Sequence, residues 1–191
     1  MSVQPPSGTV TFLFTDIQDS TQLWESGPAE MAAAFPVHDA IVRAAIERHD
    51  GYVFATSGDG FCAAFSTAAN AVAAAVESQR ELGGAAVVPF KVRMGLHTGE
   101  TIERDRTYVG PEVNRAARLM TLGNGGQVLV SDSTEVLVRG RVALRSLGDH
   151  VLPGLRGKVA VFQVVAEGLA AEFPMLRSVD DFAGKVNTMC A

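Results

Sequence analysis

The feature that most constrains the fold is a short polar turn, SGDG, between two apolar runs. YVFAT precedes the turn and FCAAF follows it, a pattern typical of a β-hairpin. Elsewhere predicted strands and helices alternate along the chain. Because a hairpin pairs its strands antiparallel, the pattern predicts an α+β fold of the ferredoxin-like type rather than a doubly wound parallel sheet. We expect a mostly antiparallel central sheet with helices packed on it.

The order of elements predicts one domain with short extensions. Residues 1–8 are predicted to be a flexible leader, 9–167 the folded domain, and 168–191 a C-terminal tail or extra helix. Apolar, β-branched and aromatic residues dominate the first strand, TVTFLF, which ends at Thr15. Helical spacing of apolar residues predicts helices over about 30–49, 67–83 and 111–122. Further strands are predicted over 90–99, in QVLVS, and in two runs between 142 and 165.

Composition narrows the class of protein. The chain has 191 residues, of which 47% are apolar, so a sizeable core is available. A net charge of -5 argues against nucleic acid as the main partner, because phosphate backbones need clustered cations. The leader lacks the pattern of a signal peptide, and no apolar run is long enough for a membrane span. With only Cys62 and Cys190 present, we expect a reduced, soluble, cytoplasmic protein with no membrane partner.

Two carboxylates stand where a strand meets a turn. Asp16 follows the first strand in FTDIQDST, and Asp59 lies at the tip of the hairpin. Taken singly, Asp16 is best interpreted as a helix cap and Asp59 as a turn residue. Taken together they predict a metal site, because neighbouring carboxylates repel each other unless a divalent cation lies between them.

Two further segments suit a nucleotide. Residues 17–21 are predicted to turn backbone N–H groups toward an anion where a helix begins, and Thr21 adds a hydroxyl. In VGPEVNRAARLM, Asn114 and Arg118 are four residues apart and share one helix face. The amide suits a ribose and the guanidinium suits a phosphate. An ordinary surface helix explains this segment equally well on its own.

Together the motifs resemble the catalytic domain of class III nucleotidyl cyclases, in a bacterial subset. FTDIQDST, SGDGF, GLHTGE and VGPEVNRAARLM occur in the order and spacing of that family, over roughly residues 8–165. The resemblance implies the class III cyclase version of the ferredoxin-like fold. His97, in GLHTGE, is interpreted as a structural or cleft-lining residue.

The resemblance also implies a reaction and a set of roles. Asp16, Asp59 and the backbone carbonyl of Ile17 would hold two Mg²⁺ or Mn²⁺ ions. Asn114 would position the ribose, and Arg118 would stabilise the pentavalent phosphate. The 3′-hydroxyl of a nucleoside triphosphate, most readily ATP but also GTP, would attack the α-phosphate and release pyrophosphate. The family's sites lie at a head-to-tail dimer interface, so we expect a homodimer or a heterodimer with another cyclase domain.

Base recognition is where the chain departs from the family. Adenylate-forming members carry a lysine where this chain has Ala55 and an aspartate where it has Thr107. An alanine offers no hydrogen bond and a threonine offers one hydroxyl, so we expect relaxed base selectivity or low activity. The family also has a basic residue near the C-terminal strands that contacts phosphate, and Arg156 and Lys158 both lie near that position. The alternative function is a catalytically silent domain that acts as a binding or dimerisation module, or as a heterodimer partner.

Overall fold

One eight-stranded sheet forms the centre of the computed structural model, which describes residues 4–152 and 154–177. The strands are β1 (Gly8–Ile17), β2 (Tyr52–Ser57), β3 (Gly60–Phe65), β4 (Val92–Arg104), β5 (Thr107–Val109), β6 (Val128–Ser131), β7 (Ala143–Val151) and β8 (Lys158–Val165). The helices are α1 (Ser20–Ser26), α2 (Pro28–Arg48), α3 (Ala68–Gly84), α4 (Pro111–Leu122) and α5 (Asp132–Val138).

The strand order is β2-β3-β1-β4-β6-β8-β7, with β5 paired to β4. All of these pairs are antiparallel except β4 with β6. The sequence-based prediction of a mostly antiparallel α+β sheet is therefore confirmed, and the SGDG hairpin is the β2–β3 pair.

The helices cover the two faces of the sheet unequally. Successive residues of a strand point to opposite faces. Leu13 packs with α2 and α3 in one buried cluster, whereas Phe12 and Phe14 pack with α4 in another. Strand β1 is therefore buried from both sides, which explains why its sequence is continuously apolar instead of alternating.

A longer hairpin extends the sheet beyond what the sequence predicts. The strand predicted over 90–99 continues to Arg104 and pairs back with β5. Asp105 and Arg106 make the turn, with φ of 53° and 63°. Two consecutive positive φ values are typical of a type I′ hairpin turn, which normally selects Asn-Gly, Asp-Gly or Gly-Gly. Because Arg106 stands where glycine is usual, the sequence carries no recognisable turn signal.

The two ends of the described chain lie against the domain. Pro6 is buried, and its carbonyl accepts a hydrogen bond of 2.7 Å from the Tyr108 hydroxyl. Residues 170–177 contain no helix or strand. The rest of the predicted tail, with Cys190, lies outside the described residues, so the domain boundaries stay a prediction. Among the described helices, none has the length and apolar character needed to cross a membrane.

A substitution at Gly95 tests how tightly α4 is packed on the sheet. A Cβ atom at this position would lie 2.4 Å from the Met120 backbone nitrogen. We expect Gly95→Ala to lower the free energy of unfolding by about 1–3 kcal/mol, because overpacking against backbone cannot relax by a rotamer change. The control is Gly83→Ala, where a Cβ meets nothing within 4 Å, and which should stay within about 1 kcal/mol of wild type. Urea unfolding followed by circular dichroism measures both, and equal stabilities would contradict the close packing.

Candidate active site

The end of β1 brings the hairpin tip against Asp16. The Thr15 hydroxyl accepts a hydrogen bond of 2.9 Å from the Phe61 backbone N–H. A Cβ atom at Gly60 would lie 2.3 Å from the Thr15 carbonyl oxygen, so only glycine allows this approach. The turn that carries Asp59 is thus fixed next to the strand that carries Asp16.

Asp16 is a half-buried carboxylate with one strong partner. Strand register places it opposite Arg93 on β4. The Arg93 Nε donates to Asp16 Oδ2 at 2.8 Å, and Nη2 donates to the same oxygen. Burial raises the pKa of Asp16, Arg93 opposes that effect, and the nearby charge of Asp59 raises the pKa further. The structure therefore brings together the two carboxylates that the sequence predicts to form one site.

The environment of Asp59 suits a cation. Its Oδ2 atom is buried and has no hydrogen-bond partner among the described residues. A buried carboxylate oxygen without a donor, beside a second carboxylate, is unfavourable unless a positive charge approaches it. Within residues 4–152 and 154–177 no three His, Cys, Asp or Glu side chains cluster as a metal site. Two carboxylates still suffice for Mg²⁺ when phosphates and water complete its shell.

The segment after Asp16 folds as a strand, a turn and a short helix. The Gln18 backbone N–H donates to the Lys91 carbonyl at 2.9 Å, which extends the β1–β4 pairing by one residue. Asp19 then adopts a left-handed conformation, with φ of 57°, and α1 begins at the next residue. Thr21 is exposed in its first turn. The side chain of Ile17 is buried in the core, so its backbone is the part available to a ligand.

Helix α4 presents Asn114 and Arg118 away from the sheet. Its buried side chains, Val113, Ala116, Leu119 and Met120, define the inward face. Asn114 is exposed and Arg118 is half-buried. At about 100° per residue these two side chains lie only about 40° apart around the helix axis, which confirms their shared face.

Asn114 and Arg118 are not joined to the carboxylate pair within this one chain. The charged groups that act on Asp16 are Arg93, Asp59 and Arg177. Arg118 is not among them in the described part of the chain. Within the described chain, the carboxylate pair lies at the end of β1, and Asn114 and Arg118 lie on the outer face of α4.

Ala55 lies on β2 and Thr107 on β5, two strands that contact each other but are paired with other strands. The Tyr52 hydroxyl donates to the Arg106 carbonyl at 3.0 Å, which links β2 to the β4–β5 turn. The rings of Phe54 and Tyr108 have centroids 5.0 Å apart. Ala55 packs against this aromatic cluster. The two positions where the family carries its base-reading pair thus belong to one region of the surface.

The remaining predicted positions lie at the β7–β8 connection. Arg156 is exposed in this loop, and Lys158 is exposed at the start of β8. Neither side chain is paired with a described acidic residue, so the choice between them stays open.

Sequence reasoning missed Arg93 as a site residue. It stands inside a strand, in VRMGL, where an alternating pattern makes an arginine look like an ordinary outward side chain. Only the antiparallel register of β1 with β4 shows that it faces Asp16. To find Arg93 from the sequence, one would need the pairing register of two strands whose facing residues are 77 positions apart.

The fold and the site define a class of protein, a domain with paired carboxylates at one strand end and an Asn–Arg helix on another surface. The chain matches the profile of the adenylate and guanylate cyclase catalytic domain over residues 2–166. It belongs to that family.

Relatives of known sequence support the assignment. An uncharacterized Mycobacterium tuberculosis protein is 43% identical over 180 residues, which cover 91% of this chain and 62% of that protein. An adenylate cyclase of Lachancea kluyveri is 32% identical over 157 residues, covering 68% of this chain and 8% of the enzyme. The chain thus spans less than two thirds of the length of these relatives.

Solved structures show the same fold. An adenylate cyclase of Trypanosoma brucei, in its monomeric state, superposes with a TM-score of 0.79 at 28% identity, covering 93% of this chain and 95% of that one. The adenylyl cyclase CyaB from P. aeruginosa superposes with a TM-score of 0.74 at 23% identity, covering 84% of this chain and 95% of that one.

Arg93→Met tests the counter-ion of Asp16. Both side chains are mostly buried, at 13% and 17% exposed, and removing the cation leaves an uncompensated carboxylate. We expect a loss of roughly 3 kcal/mol near neutral pH. The pKa of Asp16 is raised by folding, so its ionised form lowers the free energy of unfolding at any pH above the unfolded-state pKa. Protonation of Asp16 relieves this effect as pH falls. The difference from wild type should therefore shrink toward about pH 4.

Chemical denaturation at several pH values measures this difference. Arg104→Met is the matched control, because the Arg104 side chain is 80% exposed and should contribute little at any pH. A loss for Arg93→Met that stayed constant with pH would contradict the ion-pair interpretation.

Proposed function

We propose that the domain is a nucleotidyl cyclase that converts a purine nucleoside triphosphate, most readily ATP, to its 3′,5′-cyclic monophosphate and pyrophosphate. The observation that carries the proposal is the Asp16–Asp59 pair, with its unpartnered carboxylate oxygen on Asp59. Membership of the cyclase family supports it. The proposal rests on this chain's own residues, because the relatives are longer proteins.

The carboxylate pair is the proposed metal half of the site. Asp16, Asp59 and the Ile17 carbonyl would hold two Mg²⁺ or Mn²⁺ ions. Such ions supply activation of the attacking 3′-hydroxyl and stabilisation of the leaving pyrophosphate. Burial raises the pKa of Asp16, and Arg93 lowers it, so the ion pair favours the ionised form that a metal ligand needs. Residues 17–21 lie beside this half and are proposed to contact the phosphates, with Thr21 as a hydroxyl donor.

The outer face of α4 is the proposed second half. Asn114 orients the ribose so that the 3′-hydroxyl faces the α-phosphate, and Arg118 stabilises the charge that develops on the phosphate during attack. Because α4 turns these side chains away from its own sheet, a second copy or another cyclase domain must supply the complementary half. The proposed active form is therefore a head-to-tail dimer.

The base pocket is proposed to discriminate weakly. Ala55 leaves one edge of the pocket without a hydrogen bond, and Thr107 offers a single hydroxyl. A pocket with so few polar groups separates adenine from guanine poorly, because no buried donor or acceptor is left unpaired by the wrong base. We expect GTP to be used as well, at a lower overall rate.

The alternative is a silent domain that only binds or dimerises. Ala55 and Thr107 are its motivation, since a lost base pocket often accompanies lost catalysis. Asp16, Asp59 and Arg118 are all retained in this chain, which favours the enzyme.

Mixing two inactive variants tests the split site. We expect Asp16→Asn and Arg118→Ala each to abolish cyclic nucleotide formation from ATP with Mn²⁺. An equimolar mixture should recover about one quarter of wild-type activity, since half of randomly formed dimers are mixed and each holds one intact site of two. Product is measured by chromatography after the subunits have exchanged.

Asp105→Asn is the control for a lost surface carboxylate, since Asp105 is 89% exposed at a hairpin turn. It should leave activity unchanged. A mixture that stays inactive while both variants remain dimeric would contradict the shared site. If the wild-type protein makes no more product than Asp16→Asn, the cyclase proposal is contradicted and the silent domain becomes the better interpretation.

Base choice is tested by restoring the family's pair. We expect the double variant Ala55→Lys with Thr107→Asp to raise the ratio of kcat/KM for ATP over GTP by about tenfold or more. The reason is that a Lys–Asp pair is left unsatisfied by guanine but not by adenine. Each single substitution is the control and should change the ratio less. An unchanged ratio in the double variant would place base reading elsewhere.

A further inference from the structure

A buried polar network connects β4 to the first turn of α4. His97 is 2% exposed, and its Nε2 lies 2.5 Å from Glu112 Oε2. Its Nδ1 lies 2.7 Å from the Ser131 hydroxyl. From Ser131 the network continues through hydroxyl groups. Ser131 lies 3.3 Å from Thr134, which lies 3.0 Å from Thr98, which in turn lies 2.9 Å from Thr11 on β1.

The space for this contact is built into the GLHTGE motif. A Cβ atom at Gly99 would lie 2.6 Å from Glu112 Oε2, so the glycine leaves room for the carboxylate. Glu112 is half-buried there, and its negative charge also suits the first turn of a helix. His97 and Gly99 thus form a receptor on β4 for one side chain of α4.

The first turn of α4 has few other anchors of its own. Gly110 stands at the N-cap and makes no side-chain cap. The first intrahelical hydrogen bond, from the Asn114 N–H to the Gly110 carbonyl, is long at 3.4 Å. The Glu112–His97 contact is therefore the polar bond that ties this turn to the sheet.

The chemistry of Glu112 and Ser131 decides which atoms of His97 donate and which accept. Glu112 as a carboxylate only accepts, so Nε2–H of His97 donates to it, and Nδ1 then accepts from the Ser131 hydroxyl. Burial lowers the pKa of His97, which favours this neutral ring, while Glu112 opposes the shift. Arg115 on α4 lowers the pKa and Asp132 on α5 raises it by smaller amounts.

We propose that His97 and Glu112 are positioning residues of the nucleotide site, which fix the rotation of α4 and thereby the directions of Asn114 and Arg118. Asn114 follows Glu112 by two residues, about 200° around the helix, so the contact that pulls Glu112 inward turns Asn114 outward. Arg118 shares that outward face. Neither positioning residue touches the substrate. The inference rests on the proposed cyclase function, because it concerns the same two side chains.

The kinetic test compares variants that break and conserve the contact. We expect His97→Phe and Glu112→Ala to lower kcat by about tenfold to a hundredfold with a smaller change in KM, because a misplaced group acts mainly in the transition state. His97→Gln keeps an N–H near the Nε2 position and should recover much of kcat. Val42→Ala is the control for lost stability, since Val42 is a buried residue of α2, on the other face of the sheet.

The pH profile separates positioning from simple packing. Glu112→Gln preserves shape but removes the charge that raises the pKa of His97. Protonation of His97 at low pH removes the acceptor that Nδ1 offers to the Ser131 hydroxyl, so we expect kcat to fall along an acid limb. Because Glu112→Gln lowers the pKa of His97, this limb should move to lower pH, whereas the Val42→Ala profile should keep its position. If His97→Phe loses no more kcat than Val42→Ala, and Glu112→Gln leaves the limb in place, the inference is overturned.

Hydrogen exchange tests the same inference without catalysis. In the intact protein, amides of residues 113–118 should exchange about tenfold faster in His97→Phe than in wild type, while those of α3 stay unchanged. Wild-type protein that makes no product but shows this local effect would refute the proposed function and retain the positioning role. Unchanged exchange in α4 would refute the positioning role whatever the activity.

Discussion

The pairing of β1 on both of its edges is the constraint on which the rest of the structure depends. Its ten residues run between β3 and β4, and its interior is buried from both faces. Register with β4 sets Arg93 opposite Asp16, and the Thr15–Phe61 contact sets the hairpin tip beside it. A slip of one residue would invert every side chain of β1 and separate these groups. The position of the carboxylate pair is therefore a consequence of core packing rather than of local loop structure.

The carboxylate pair is held at an electrostatic cost. Burial and mutual repulsion both raise the pKa of Asp16, and Arg93 compensates only part of this. Asp59 keeps an oxygen without a donor in the described structure. Two neighbouring carboxylates at a partly buried strand end are unfavourable for stability alone, and the proposed cation would relieve their repulsion.

The sequence predicts the helices and strands that have local signals, and it fails where long-range register decides. The helix over 111–122 and the SGDG hairpin were found because their periodicity and turn residues are local signals. Arg93 and the His97–Glu112 contact were missed as parts of the site because each joins residues from different elements. The β4–β5 turn was missed because Arg106 stands at the position where a type I′ turn usually has glycine. Apart from hairpins, whose turns are local signals, single-sequence patterns do not tell which strand lies beside which.

The two faces of the sheet explain why the proposed site must be shared. Helix α4 buries Val113, Ala116 and Met120 on the face of the sheet opposite α2 and α3. Those contacts, with Glu112 held by His97, leave only one rotation for the helix, and in it Asn114 points outward. Turning Asn114 toward the carboxylates of the same chain would expose the apolar face of α4 and unpair a buried histidine. Assembly with a second domain is the less costly way to complete the site, so the proposed activity depends on the same packing that keeps each half rigid.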